Sequence, residues 1–211
     1  MTTSRATESA ALPRDPLAFL GEVFSSRIRA HVLTFLTVRN DAAYSLTEIA
    51  RGLGLSISSV QHECYKLERL DVLVARTARG SRRYRLNVNF PTTRNLEQLI
   101  LGVFPLRDLL VRALADFEKD GTLSTAAIAR EAEGDAFHLL LVGDLTLMQL
   151  ASIQERIAHL LGVDPDVLHM AFFPERQWLT QRDERDERIE RLLTLELTPL
   201  IGSLEFATTA P

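Results

Sequence analysis

The feature that most narrows the fold is a change of hydrophobic period inside residues 45–86. Ser45-Leu46-Thr47-Glu48 has the form of a capping box, in which the serine oxygen accepts from the third helical amide and the glutamate reaches back. The helix it opens is short, because Gly52 and Gly54 punctuate it. Leu55-Ser56 starts another, with Ser56 as cap and Val60, Cys64 and Leu67 recurring on one face. After Leu70 the pattern alternates. Val72–Arg76 and Arg82–Leu86 predict two strands, and Arg79-Gly80-Ser81 supplies the glycine that a hairpin turn needs.

Two short helices on a glycine turn make a helix-turn-helix, and a basic two-stranded ribbon directly after it makes a winged helix-turn-helix. Charge agrees with that reading. From Arg51 to Asn87 there are eight basic and three acidic residues, so the segment carries +5 while the rest carries −9, within a net charge of −4. A basic block in an acidic chain is the footprint expected of a protein with a polyanionic partner. A helix in the major groove offers side chains near its N-terminus to base edges, while basic wing residues meet phosphates or the minor groove.

With Val60, Cys64 and Leu67 facing inward, Ser58, Ser59, Gln61, His62 and Tyr65 are left on the outer surfaces behind the cap, Ser56. Gln61 can pair with adenine, the serines and Tyr65 can reach bases or phosphates, and Lys66 suits a phosphate. On the hairpin, Tyr84 and Leu86 are expected inward and Arg83 and Arg85 outward, with Arg79, Ser81 and Arg82 at the tip. These twelve residues are the candidate DNA contacts, and affinity through them should fall steeply with salt.

The 211 residues suffice for one large domain or two small ones. Residues 1–14 are expected to be a disordered tail, 15–90 the DNA-binding domain, 91–120 a helical connector and 121–211 a second domain. Helical spacing runs through 16–24, 27–38, 93–103 and 106–118; Ser25 or Ser26 is the expected cap of the second helix, and Thr93 that of the third. Arg39–Tyr44 is expected to be a loop. Residues 121–211 predict a strand at Ala136–Val142 and a helix through Leu147, Leu150, Ile153, Ile157 and Leu160, stopped by Gly162. A strand at Val167–Phe173, a helix opened by Pro174, a solvated charged helix face at Arg182–Arg191 and a strand at Thr198–Ile201 follow. The fold class is therefore mixed α and α/β.

No apolar run approaches the roughly 18 residues that span a bilayer. The N-terminal MTTSRATESAALPRDP lacks a signal pattern, so the expected location is cytoplasmic, with no membrane contact. The single cysteine, Cys64, excludes an internal disulfide framework and reads as a core residue. Glu155 with His159, and Asp166 with His169, have helical ligand spacing but stand as isolated pairs, so neither a metal nor any other cofactor is expected.

The stretch TEIARGLGLSISSVQHECYKLERLDVL followed by GSRRYRLN resembles the ArsR-like winged helix-turn-helix domains of bacterial and archaeal transcriptional regulators. The connector NLEQLILGVFPLRDLLVRAL, the strand LLLVGD, the FFPERQWL segment and the closing PLIGS resemble a branch in which that domain is fused to a minimal nucleotidyltransferase-like domain. The resemblance implies a Gly-Ser pair on a triphosphate loop and an Asp-x-Asp on the next strand holding two magnesium ions. Counting back from LLLVGD, the carboxylate positions fall on Ala136 and His138 and the Gly-Ser position on Ser124-Thr125, with Asp135 one place out of register. The later strand VLHMAFF offers no carboxylate. The expectation is a degenerate domain without enzymatic activity.

The leading expectation is a sequence-specific transcriptional regulator that binds double-stranded DNA as a homodimer through the 93–118 helices. The C-terminal domain would bind a protein partner or a small ligand. Two alternatives stay open: a divergent nucleotidyltransferase, and an antitoxin or phage-defence partner protein that autoregulates its operon.

Overall fold

The computed structural model describes residues 12–78, 80–131, 136–183, 189–190, 192 and 194–203. Arg79, Asp135 and most of the Arg182–Arg191 run lie outside them, as do residues 1–11 of the expected tail. In chain order the elements are α1 (Pro16–Val23), α2 (Arg27–Val38), β1 (Tyr44–Ser45), α3 (Leu46–Leu53), α4 (Ile57–Arg69), β2 (Leu73–Ala78) and β3 (Ser81–Leu86). Then come α5 (Thr93–Gly102), α6 (Leu106–Lys119), β4 (Leu123–Arg130), β5 (Phe137–Gly143) and α7 (Leu147–Leu161). A 3-10 turn (Pro165–Val167), β6 (Leu168–Phe173), α8 (Glu175–Asp183) and β7 (Thr198–Ile201) complete the order. The protein is mixed α/β with two separate sheets, and no helix among the described residues is long and apolar enough to cross a membrane.

Local chemistry sets most of these boundaries. Asp15 accepts from Ala18 N ahead of Pro16, and Ser26, rather than Ser25, caps α2 by accepting from Arg29 N. Both halves of the Ser45–Glu48 capping box are formed, and Ser56 caps α4 through Ser59 N. Gly54 ends α3 in the left-handed conformation at φ 65°, where a side chain would be strained. Gly52 has a different reason for being glycine, since a Cβ there would stand 2.5 Å from the Phe35 ring.

The first sheet has strand order β1-β3-β2, all antiparallel, with Tyr44 opposite Tyr84 and Ala78 opposite Ser81 across the hairpin turn. The expected loop through Tyr44 thus ends in a short strand. The second sheet has order β6-β5-β4-β7, antiparallel except for the parallel β5–β6 pair. Its two faces separate by period two. Ala126, Ile128, Leu139 and Leu141 join the main core, whose members run from Leu20 to Ile201; Ala127, Leu140 and Val142 join Phe173, Trp178 and Ile189 in a smaller cluster on the other side.

Three expectations need correction. Thr93 is the first residue of α5 and donates its hydroxyl to Asn87 O at 2.6 Å instead of capping the helix. Leu147 opens α7 with 84% of its surface exposed, so it is not part of that helix's apolar face. Ser124 and Thr125 lie within β4, a strand the apolar pattern did not announce, and Ser124 Oγ donates to Val142 O at 3.1 Å. His169 lies in β6, in keeping with the strand expected at Val167–Phe173, and Asp166 sits in the 3-10 turn before it.

A buried polar cluster ties the N-terminal elements to α6 and α7. Arg156, 4% exposed, donates from Nε to Asp41 Oδ1 at 2.7 Å, from Nη2 to the Tyr44 hydroxyl at 2.7 Å, and from Nη1 to Ala113 O at 2.8 Å. Ser152 also donates to Asp41, and Arg39 grips Asp116 through two bonds of 2.6 and 3.0 Å.

Candidate nucleic-acid interface

α4 stands on the core with Val60, Cys64 and Leu67 buried, as the spacing predicts. Burial first, then the charges of Glu63 and Glu68, pushes the Cys64 thiol up to about 12, which leaves it unreactive. The opposite face is open. Ser58, His62, Tyr65 and Arg69 are exposed and Gln61 is half-buried, forming one stripe at i, i+3, i+4, i+7 and i+11. Gln61 Nε2 donates to the Tyr65 hydroxyl at 3.1 Å, so the two present a joined polar surface. At the helix start, Ser56 Oγ is shared with the Ser58 and Ser59 hydroxyls at 3.2 and 2.8 Å. Ser59 and Lys66 flank the stripe. Lys66 is already engaged, with Nζ 3.6 Å from Glu63 Oε1, and Arg29 holds the other oxygen of that carboxylate at 3.0 Å.

The hairpin divides its arginines between two faces. Tyr84 and Leu86 are buried, at 0% and 6% exposure, as alternation requires. Arg82 shares their face, ion-pairs with Glu68 of α4 and lies 5.9 Å from the Tyr84 ring centroid. The hydrogen bond and charge of Glu68 hold its already high pKa higher still. Arg83 and Arg85 share the other face, as expected, yet differ in availability. Arg83 donates to Ala43 O at 2.9 Å and to both oxygens of Glu48 at 2.9 and 2.8 Å. Arg85 is exposed and has no partner among the described residues. Ser81 stays near the turn, its hydroxyl 3.4 Å from Ala78 O, and Arg79 lies outside the described residues.

Glu48 is consequently more than a cap. Burial raises its pKa, but the Ser45 backbone and hydroxyl bonds, then the bond and charge of Arg83, outweigh that and hold the carboxyl below its usual range. The carboxylate therefore fastens the hairpin to the start of α3.

Two cations belong in the site that were absent from the sequence-derived set. Arg76 lies opposite Arg83 in the β2–β3 register, so it shares a face with Arg83 and Arg85, and it is exposed without a partner among the described residues. Its place follows from Ala78 standing opposite Ser81, whereas a turn read as Arg79-Gly80-Ser81 leaves that register open. Arg69 continues the α4 stripe one turn beyond Tyr65. The structure thus leaves exposed a polar face on α4 and, on the hairpin face opposite the one that meets α4 through Arg82 and Tyr84, two guanidiniums, Arg76 and Arg85, without a partner among the described residues.

Among the described residues no group of three or more His, Cys, Asp or Glu side chains could hold a metal ion. His138 and His169 face each other across β5 and β6 with ring centroids 5.2 Å apart. No protein-family model, curated protein or solved structure matches this chain.

Proposed function

We propose that the chain is a sequence-specific, DNA-binding transcriptional regulator of the winged helix-turn-helix type. In this reading α3 and α4 are the helix-turn-helix, α4 enters the major groove, and the β2–β3 hairpin is the wing on the backbone or minor groove. The observation that carries it is the exposed stripe Ser58, Gln61, His62, Tyr65 and Arg69 on α4, followed in the chain by a hairpin with two arginines, Arg76 and Arg85, uncommitted among the described residues. Amides, hydroxyls and an imidazole at a helix N-terminus suit base edges, and guanidiniums suit phosphates. The second domain is a non-enzymatic relative of nucleotidyltransferases: Ser124-Thr125 is taken up in β4 rather than free on a phosphate-binding loop.

The regulator acts as a cytoplasmic homodimer, with α5 and α6 as the contact and the half-sites one DNA turn apart. Leu99 and Leu106, 39% and 46% exposed on these helices, support that placement. The test is selection of genomic fragments with the purified protein, followed by quantitative binding at two salt concentrations. A shared inverted repeat and a steep loss of affinity with salt are expected, with binding lost in the R76E/R85E double variant. Unchanged binding by that variant would remove the wing from the reading.

A further inference from the structure

A cleft of about 420 Å³ opens between α3, α6 and α7, away from the α4 stripe, and nothing in the DNA-binding reading uses it. Its volume is at the small end of ligand pockets, which run from about 300 to 1,000 Å³. Phe35, Tyr44 and Phe117 contribute to its wall. The charged groups fall into two sets. Glu48, Asp116 and Arg156 are satisfied by Arg83 and Ser45, by Arg39, and by Asp41 and Tyr44 respectively. Arg51 and Asp120 have no side-chain partner among the described residues, and Lys119 has one long hydrogen bond, 3.4 Å to Gly52 O, and acts on Asp116, already held by Arg39, through its charge alone.

From this we infer that the cleft between α3, α6 and α7 binds a small monoanionic carboxylate with an aromatic or branched apolar body. Arg51 and Lys119 hold the carboxylate, and the rings of Phe35, Tyr44 and Phe117 receive the body. Two unengaged cations against one unengaged anion leave a single positive charge to neutralise. A monoanion matches that surplus, whereas Asp120 repels a polyphosphate. The cleft also borders the wing's anchor, because Glu48 is both its wall and the acceptor for Arg83.

The test needs no DNA, so it stands or falls apart from the proposed function. The full-length protein is titrated with the fluorescent aromatic monoanion 8-anilinonaphthalene-1-sulfonate, and the bound dye is then challenged with phenylacetate or phenylacetamide. Expected are saturable 1:1 binding, displacement by phenylacetate and none by the amide at equal concentration. R51E should weaken dye binding about tenfold or more, the loss of a charge-assisted hydrogen bond. R176E, on exposed α8 outside the cleft, should bind as the parent does. Thermal melts confirm that each variant is folded. Non-saturable dye binding, equal displacement by acid and amide, or R51E binding like the parent would each overturn the assignment.

Discussion

At the scale of single residues, two hairpin arginines are held by the protein's own carboxylates, and the two holds differ in kind. The Arg82–Glu68 pair is exposed, so water competes with it and a phosphate can displace the glutamate cheaply. E68Q removes that competitor and should therefore tighten DNA binding while leaving the slope of log affinity against log salt near the parent's, because Arg82 meets a phosphate in both proteins. Unaltered affinity would mean that Arg82 never reaches the backbone. Arg83 is different, because Glu48 accepts from it twice while also closing the α3 capping box. R83E sets two carboxylates against each other and should lower the melting temperature as well as any DNA affinity, whereas R85E should lower affinity alone. Alternation in the sequence correctly set Arg83 and Arg85 on one strand face. It could not reveal the neighbour, since Glu48 is 35 residues earlier and meets Arg83 only after the sheet has formed.

At the scale of elements, what was legible was whatever short-range chemistry decides. The Ser45–Glu48 box, the Ser56 cap, the glycine turn and the two hairpin strands all depend on residues within a few positions of one another. β4 escaped for the opposite reason. Its sequence, LSTAAIAR, is rich in alanine, which has little preference for strands, and it becomes one by pairing with β5 on one side and β7 on the other. Leu147 was misplaced because periodicity assigns a face without showing where the packing partner ends. Gly52 tests how tightly α3 sits on α2. G52A drives a methyl into the Phe35 ring and should cost about 1–3 kcal/mol by urea denaturation, in the range of core overpacking. The double variant with Phe35→Leu, which removes the obstructing ring atoms, should recover part of that loss. No recovery would place the cost in backbone strain rather than in the clash.

At the scale of the whole molecule, the N-terminal elements and the second sheet share one core, and the Arg156–Asp41–Tyr44 and Arg39–Asp116 contacts close the junction between them. None of this was visible in sequence, where Asp41 was a loop residue and Arg156 an unremarked cation 115 positions away. R156A leaves Asp41 buried without its counter-charge and should cost about 3–5 kcal/mol. Acidity probes the same junction from the other side. Burial would raise the Asp116 carboxyl, but the hydrogen bond and charge of Arg39, with Arg156 and Lys119 behind them, hold it below its ordinary value. The folded protein therefore takes up this proton less readily than the unfolded chain does. The resulting stability is complete above the unfolded carboxylate pKa of about 4 and drains away as pH falls through the depressed folded value. The urea midpoint should be flat from about pH 7 to about pH 5 and then fall. D116N should start from a lower plateau and fall less steeply, because it no longer has that carboxyl to protonate. An acid limb as steep as the parent's would move the pH sensitivity to Glu48, whose carboxyl is also held low, and E48Q would then be the variant that flattens it.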